Sequence, residues 1–269
     1  MTTAVAAPFR FFSLRVVRTR RLTPSLVRVT FGGEDLRHFF SDGRDQSLSL
    51  FLPHPGQTEP RVPIELGDGW WQGWRELPDD VRAVMRSYTL RALRRNPDEI
   101  DIDFVLHTPA GPASIWAARA AAGDRVLLLG PAIADNRAIR FRPPEDTDLV
   151  VIWGDETAVP AVSAILETLP AGTRARVWLE VRDAGDIQDL VTQADAEITW
   201  LVQEDGLGAI RADRLPPAER PYVWIAGESG HVKALRRHFV GERGIDRRRV
   251  TFVGYWRHGM TEEQLRAAE

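Results

Sequence analysis

The hydrophobic pattern of this 269-residue chain changes character at Pro143-Pro144. Before these prolines, apolar and polar residues alternate in short runs such as Leu26–Phe31, and alternation of this kind predicts strands with one face in water. After them the runs are continuously apolar, as in Asp148–Trp153, which is typical of strands covered on both faces. We therefore expect two domains, residues 1–143 and 144–269, each with its own kind of sheet.

The first domain is expected to be an antiparallel barrel. Six extended runs are found there, with one short helix at Ser114–Ala122: Ser13–Thr19, Leu26–Phe31, Ser47–Leu52, Arg86–Arg91, Glu99–Leu106 and Arg125–Leu129. Short strands in this number with a single helix predict an antiparallel six-stranded β-barrel.

The second domain is expected to hold a parallel sheet of the Rossmann type. Five apolar strands are predicted, at Asp148–Trp153, Arg176–Val181, Ile198–Val202, Tyr222–Ala226 and Val250–Val253, with helices at Ala158–Thr168, His231–Val240 and Thr261–Ala268. Strands that alternate with helices predict a doubly wound parallel sheet. Ligands of such sheets bind beyond the carboxyl ends of the strands. We expect this edge to face the barrel, with the site between the domains.

Composition excludes several kinds of chemistry. The chain has no cysteine, which excludes disulfides, Cys-ligated zinc, iron–sulfur clusters and a cysteine nucleophile. No cluster of His, Asp and Glu has the spacing of metal ligands. The net charge of −3 gives no general footprint for nucleic acid or a membrane surface. The start of the chain lacks the basic segment of a signal peptide, so a cytoplasmic location is expected.

The segment RSYTLR at Arg86–Arg91 has residues suited to a flavin. In an extended strand Arg86 and Tyr88 point to one side and Thr89 to the other. An arginine forks onto phosphate oxygens, and a tyrosine ring lies flat on an isoalloxazine. A threonine hydroxyl or amide at the next position reaches the flavin N5 region. The alternative is an ordinary strand with two surface arginines.

A helix start follows the next strand. Gly111-Pro112 opens the helix, and Ser114 lies in its first turn, where free amides attract a diphosphate. The alternative is that Ser114 only caps a surface helix and that His107, at the end of the strand, is structural.

Polar turns follow three of the parallel strands. Gly154–Ala161 (GDETAVPA) follows the first, and no G-x-G-x-x-G is present. Asp155 and Glu156 would repel a phosphate, so this turn is better suited to face a flavin, with Thr157 capping the helix. A simple helix cap is the alternative.

The other two turns follow the fourth and fifth parallel strands. Gly227 and Glu228 follow the fourth strand, and Trp256 and Arg257 follow the fifth. Trp256 is placed to cover a flavin or a nicotinamide and Arg257 to meet an anionic substrate; core packing is the alternative for the aromatic residues.

Six motifs in this order resemble the siderophore-interacting protein family, which comprises FAD-dependent ferric-siderophore reductases related to ferredoxin–NADP reductases. They are RSYTLR, DFVLH at Asp103–His107, GPASIWA at Gly111–Ala117, GDETAVPA, AGE at Ala226–Glu228 and GYWR at Gly254–Arg257. The resemblance implies FAD as cofactor and a ferric siderophore as substrate. It implies NADPH or NADH as electron donor, or ferredoxin in one branch.

The resemblance also implies roles for individual residues. The FAD-binding group is Arg86, Tyr88, Thr89, Asp103, His107, Ala113, Ser114, Asp155, Glu156 and Thr157. Many members carry a lysine for the siderophore in the strand where this chain has Ser49. We expect Arg137 or Arg257 to supply that positive charge instead.

The electron donor is expected to bind the second domain. Arg182 follows the second parallel strand, where the 2′-phosphate of NADPH binds in such folds, together with Gly227 and Glu228. Glu180 would instead favour the ribose hydroxyls of NADH. Without cysteine, a flavin is the plausible converter between hydride and the single electron that Fe³⁺ accepts.

Two other functions remain open at this point. One is a general flavin or ferredoxin reductase, and the other is a siderophore-binding protein without redox activity. The Trp-rich segment with Trp70, Trp71 and Trp74 either contacts the siderophore or packs between barrel strands.

Overall fold

The computed structural model describes residues 7–107, 110–204, 206–260 and 264. The chain divides into two compact units, Met1–Ile139, here called the barrel unit, and Arg140–Glu269, the sheet unit. The helix predicted at Thr261–Ala268 lies, apart from Gln264, outside the described residues. Within the described ranges, no helix has the length and hydrophobicity needed to span a bilayer.

The barrel unit contains one antiparallel sheet of seven strands. They are β1 (Phe9–Arg21), β2 (Leu26–Gly32), β3 (Ser47–Leu52), β4 (Val84–Thr89), β5 (Ala92–Arg94), β6 (Glu99–Val105) and β7 (Arg125–Pro131), in the order β4-β3-β7-β1-β2-β6-β5. Two helices, α1 (Trp70–Glu76) and α2 (Pro112–Arg119), complete the unit. The sheet is curled, as a contact between distant strands shows. The ring centre of Tyr88 on the edge strand β4 lies 4.4 Å from that of Phe104 on β6.

The predicted antiparallel barrel is confirmed as an architecture, with seven strands instead of six. The additional strand is β5, whose three residues pair with Glu99–Asp101 of β6. A run of three residues is too short to show the period of two by which strands are recognised.

Alternation along β6 separates two environments. Ile100, Ile102 and Phe104 are fully buried on the inner face of the curled sheet, in the main core of the barrel unit. Glu99 and Asp101 point the other way, where Arg94 on β5 pairs with both carboxylates at 3.0 and 2.6 Å. The acidic side chains are thus covered by arginines, which explains how a strand with alternating charges is buried on both faces.

The sheet unit contains five strands that all run parallel. They are β8 (Leu149–Asp155), β9 (Arg174–Val181), β10 (Asp195–Val202), β11 (Pro221–Glu228) and β12 (Val250–Trp256), in the order β10-β9-β8-β11-β12. The helices are α3 (Val159–Thr168), α4 (Gly206–Ala212) and α5 (Ser229–Arg237). The predicted Rossmann-like parallel sheet is therefore confirmed.

Both faces of this sheet are covered, as the continuous apolar runs predicted. On one face Ile152 and Trp224 pack in a core with residues of α3. On the other face Trp153 and Trp178 pack in a core that includes Ile210 of α4. All parallel strands therefore end at one edge of the sheet, which collects the polar turns singled out above.

Candidate functional site

Strand β4 holds the residues predicted to bind the flavin. Arg86 is paired with Leu50 of β3, and Tyr88 with Leu48, so both lie on the inner face of the curled sheet. Thr89 lies on the opposite face and is buried. The predicted separation of Arg86 and Tyr88 from Thr89 is therefore present in the strand.

The first turn of α2 is tied to the end of β6. The backbone amide of His107 donates to Ser114 Oγ at 3.1 Å, and the same hydroxyl donates to the carbonyl of Val105 at 3.0 Å. Gly111 is the N-cap residue, and no side chain among the described residues caps the helix. The residues Ala113 and Ser114 are buried, and within the described ranges their amides have no hydrogen-bond acceptor. Buried amides of this kind need a ligand, a water molecule or a cap.

An aromatic series joins the flavin strand to this helix. The ring of Tyr88 lies 4.4 Å from that of Phe104, and Phe104 lies 5.8 Å from Trp116 of α2. Trp116 stacks on Phe31 of β2 at 6.3 Å. Phe104 and Trp116 are not among the site residues predicted from the sequence. Alternation along β6 would have placed Phe104 on the inner face, but the contact with Tyr88 depends on the curl of the sheet.

A cleft of about 630 Å³ borders this series. It is lined by Val84 of β4, by Pro112, Ile115 and Trp116 of α2, and by the loop at 53–59. Arg119 of α2 also lines the cleft. The cleft therefore combines apolar surface with charged side chains of both signs, since Glu59, Asp124 and Arg125 line it as well.

Asp103 is not brought to this group. Its carboxylate lies on the outer face of β6 and accepts hydrogen bonds from Arg28 Nε at 2.7 Å and from the terminal Arg28 Nη2 at 2.8 Å. Arg91 Nε lies 4.0 Å away. The carboxylate therefore belongs to the row of ion pairs along β6, on the face away from Tyr88.

At the carboxyl edge of the sheet unit, Asp155 is a centre of hydrogen bonds. It is buried and accepts from the amide of Thr157 at 2.9 Å, from the amide of Glu228 at 2.8 Å and from the indole nitrogen of Trp256 at 2.8 Å. Gly227 permits this approach, because an added Cβ would lie 2.5 Å from Asp155 Oδ2 and the backbone has φ of +146°. The predicted residues Asp155, Thr157, Gly227, Glu228 and Trp256 therefore form one cluster.

Glu228 begins helix α5. Its carboxylate accepts hydrogen bonds from the amides of Gly230 and His231. Burial acts to raise the pKa of Glu228, but the amides of His231, His258 and Gly230 outweigh it and the pKa is lowered. The carboxylate is therefore committed to the helix start, and its charge is stabilised there.

Glu156 and Arg182 form an ion pair at the same edge. Glu156 Oε1 lies 2.9 Å from Arg182 Nε, and the arginine side chain is 56% exposed. Burial, followed by the charge of Asp155, raises the pKa of Glu156. Glu180 is directed differently, because a Cβ added at Gly206 would overlap its carboxylate, so it lies against the start of α4.

The remaining predicted residues are dispersed. Arg137 in the barrel unit lies with its guanidinium 5.8 Å from the ring centre of Phe9, and Arg257 in the sheet unit is exposed after β12. Ser49 is opposite Ser87 on the outer face of the sheet. No group of three or more His, Asp or Glu side chains in the described ranges is arranged to hold a metal ion.

The Trp-rich segment has a packing role. Trp70 and Trp74 of α1 lie 5.8 and 6.2 Å from the ring of Phe51, in a second core of the barrel unit. Trp71 stacks on Trp74 at 5.2 Å. These contacts favour packing between barrel strands over contact with a substrate.

Comparison with known families and proteins adds independent information. The family described as the siderophore-interacting FAD-binding domain matches residues 15–135, and the family described as siderophore-interacting protein matches residues 147–259. Ferric vibriobactin reductase ViuB of Vibrio cholerae serotype O1 is 33% identical over 257 residues, which cover 93% of this chain and 90% of ViuB.

Two further proteins are similar over nearly their whole length. The NADPH-dependent ferric-chelate reductase of Escherichia coli is 33% identical over 255 residues, covering 92% of this chain and 93% of that protein. The crystal structure of the siderophore-interacting protein SipS from Aeromonas hydrophila has a TM-score of 0.78 and 32% identity, covering 97% of this chain and 96% of SipS. The chain belongs to the siderophore-interacting protein family.

Proposed function

We propose that this protein is an FAD-dependent ferric-siderophore reductase that oxidises NAD(P)H and reduces siderophore-bound Fe³⁺ to Fe²⁺. The observation that carries the proposal is the aromatic series from Tyr88 through Phe104 to Trp116, which joins the flavin strand to helix α2. The names of the relatives, a ferric vibriobactin reductase and an NADPH-dependent ferric-chelate reductase, support the same reaction.

The barrel unit fits the chemistry of FAD. A flavin presents a flat apolar ring, and its diphosphate presents negative charge. Tyr88 provides an aromatic surface, while Arg86 on the same face of β4 provides a cation. The buried amides of Ala113 and Ser114 are donors for an anion at a helix N-terminus. These residues satisfy the two demands of the cofactor in one place.

Bound FAD supplies the conversion between a two-electron donor and a one-electron acceptor. The chain's own residues hold and orient the reactants. Tyr88 and Thr89 hold the flavin from β4, Arg86 and the first turn of α2 hold its diphosphate, and His107 lines the site at the end of β6. Asp103 is not included in this group, because its carboxylate is bound to Arg28 on the outer face of β6.

The sheet unit is proposed to bind the electron donor. Arg182 presents an exposed guanidinium at the carboxyl edge, and Gly227 and Glu228 lie at the carboxyl end of β11, on the same edge of the sheet. Because Glu180 is engaged at the start of α4, it does not compete for the ribose, which favours NADPH over NADH. Asp155, through its bond to the indole of Trp256, orients an aromatic surface for the nicotinamide or the flavin.

The substrate is proposed to be a ferric siderophore, held through its anionic oxygen ligands by Arg137 or by Arg257. Oxidation of one NAD(P)H to NAD(P)⁺ releases one proton and supplies two electrons. The two electrons reduce two Fe³⁺ to two Fe²⁺. Fe²⁺ is held less tightly than Fe³⁺ by hard oxygen ligands, so reduction releases the metal. We further propose a cytoplasmic location, where NADPH is available, and keep ferredoxin as an alternative donor.

The test is turnover of purified protein with defined acceptors. Protein incubated with FAD and freed of excess should retain the yellow flavin spectrum. It should then consume NADPH with a ferric siderophore and release Fe²⁺ to a ferrous chelator. Retained FAD with turnover of free flavin or ferredoxin but none of ferric siderophores would instead indicate a general reductase. Protein that binds a ferric siderophore but no FAD would indicate a carrier.

A further inference from the structure

The guanidinium of Arg182 contacts a carboxylate through its inner nitrogen, Nε. This nitrogen lies 2.9 Å from Glu156 Oε1, and this is the single ion pair that Arg182 forms within the described ranges. The backbone carbonyl of Arg182 accepts a hydrogen bond from Gln203 Nε2 at 2.8 Å, which fixes the main chain at the end of β9. The two terminal nitrogens of the guanidinium therefore remain available on an exposed side chain.

Glu156 restrains the side chain of Arg182 from a buried position. The residue is 8% exposed and follows directly on Asp155, whose carboxylate is held by Thr157, Glu228 and Trp256. An exposed arginine without such an anchor populates many rotamers and loses this freedom when it binds a phosphate. The anchor removes part of that cost before the ligand arrives.

We propose that Glu156 is a positioning residue for donor specificity, which holds Arg182 by Nε so that its terminal nitrogens grip the 2′-phosphate of NADPH. A guanidinium binds phosphate best through two parallel hydrogen bonds, and with Nε facing Glu156 the two terminal nitrogens are the pair left to form them. This inference rests on the proposed function, since it assumes that a nicotinamide dinucleotide binds the sheet unit.

The negative charge of Glu156 suggests an alternative role, in which the carboxylate opposes phosphate binding. A carboxylate beside a phosphate site is repulsive in itself, and it also competes with the phosphate for Arg182. Burial, and after it the charge of Asp155, raises the pKa of Glu156, with Asp186 adding to the effect and Arg182 opposing it. If competition dominated, removing the carboxylate would strengthen binding of the 2′-phosphate. If positioning dominates, removing it weakens binding.

The test uses ligands that carry the phosphate without the nicotinamide. Adenosine 2′,5′-bisphosphate and 5′-AMP are titrated calorimetrically into FAD-loaded wild-type protein and the E156A, E156Q and R182A variants. We expect E156A to weaken binding of the bisphosphate about two- to tenfold, the cost of restraining one long side chain, and to leave 5′-AMP within about twofold. E156Q keeps the size of the side chain but removes the charge that faces Nε, so it should weaken binding of the bisphosphate to a similar extent as E156A.

A double variant and a control complete the design. In the R182A background, E156A should have no further effect on the bisphosphate, because Glu156 acts through Arg182. Glu167→Gln changes the same charge on the exposed end of α3 and should leave both ligands unaffected. R182K keeps the charge but lacks an inner nitrogen, so it should lose the preference for the bisphosphate and become insensitive to E156Q. It keeps the proposal testable if E156A fails to fold.

The outcomes separate the inference from the proposed function. Tighter binding of the bisphosphate by E156A, or equal weakening of both ligands, contradicts the positioning role, as does unchanged binding in every Glu156 variant. A wild-type protein that does not prefer the bisphosphate to 5′-AMP contradicts the assignment of Arg182 to NADPH itself. NADPH-dependent reduction of a ferric siderophore by the same wild-type preparation would then show that the proposed function stands without this inference.

Discussion

Asp155→Ala tests the cluster at the carboxyl edge of the sheet unit. The substitution removes the buried acceptor that joins Thr157, Glu228 and Trp256. Hydrogen bonds to a charged group contribute about 1.5–3 kcal/mol each, and part of this sum is offset because a buried carboxylate no longer has to be desolvated. We expect a net loss of about 3–4 kcal/mol in the free energy of unfolding, which is large for one substitution.

The assay is scanning calorimetry of the FAD-loaded protein. For a unit of this size each kcal/mol shifts the midpoint by about 4 °C, so Asp155→Ala should lower one transition by about 12–16 °C. Asp155→Asn should have a smaller effect, because its remaining oxygen still accepts hydrogen bonds on one side. Some loss remains, because its NH2 group must face at least one of the same N–H donors. The control is Asp195→Asn at the exposed start of β10, which should change stability by no more than about 0.5 kcal/mol.

The reasoning is refuted if Asp155→Ala melts within the range of the Asp195→Asn control. That result would mean that water replaces the carboxylate without cost and that the cluster does not hold the strand ends together. Flavin retained by both Asp155 variants would place the function of this cluster with the nicotinamide, whereas flavin lost by them but kept by the Asp195→Asn control would place Asp155 and Trp256 with the flavin.

Three further predictions follow from the barrel unit and the donor site. Tyr88→Ala should weaken FAD binding by about tenfold, because it removes the aromatic surface proposed to contact the flavin and the contact with Phe104. Tyr88→Phe keeps the ring and should bind FAD within about twofold of the wild type. Equilibrium dialysis measures FAD binding by both variants. Arg182→Ala should raise KM for NADPH more than KM for NADH in steady-state assays, and equal increases would contradict the assignment. The pKa of Glu99 is lowered by its hydrogen bond from Arg18; burial opposes the shift at Asp101, but the bonds from Arg94 and Thr30 outweigh it, so that pKa is lowered too. A carboxyl group with a lowered pKa stabilises the folded state above its ordinary pKa, 4.5 for Glu99 and 3.8 for Asp101, and this stabilisation is lost as the pH falls below that value. Asp101→Asn should therefore make the free energy of unfolding less dependent on pH on the acid side. An unchanged dependence on pH would contradict a stabilising role of these ion pairs.

The strands of both units could be predicted from the sequence because their burial is periodic. Continuous runs such as Leu149–Asp155 are apolar because both faces of the parallel sheet are covered. Helix α4 could not be predicted, because seven residues with two glycines have little helical preference. Packing of Ile210 in the same core as Trp153 and Trp178 holds it in place.

The site could be predicted only as separate motifs. Alternation correctly indicates that Asp103 and Phe104 point to opposite faces of β6, but the resemblance to the family alone placed Asp103 with the flavin. The bond between Asp155 and Trp256 joins residues 101 positions apart, and no local pattern specifies such a partner. The same holds for Tyr88 and Phe104, which meet because the sheet curls.

We propose that this chain couples oxidation of a nicotinamide donor to release of iron from a siderophore. The most direct measurement is the ratio of Fe²⁺ trapped by a ferrous chelator to NADPH consumed, with FAD-loaded protein and a ferric siderophore in the absence of oxygen. Two Fe²⁺ for each NADPH are predicted, because each donor supplies two electrons and each Fe³⁺ accepts one. NADPH consumption without Fe²⁺, or no consumption when the siderophore is added, would contradict the account.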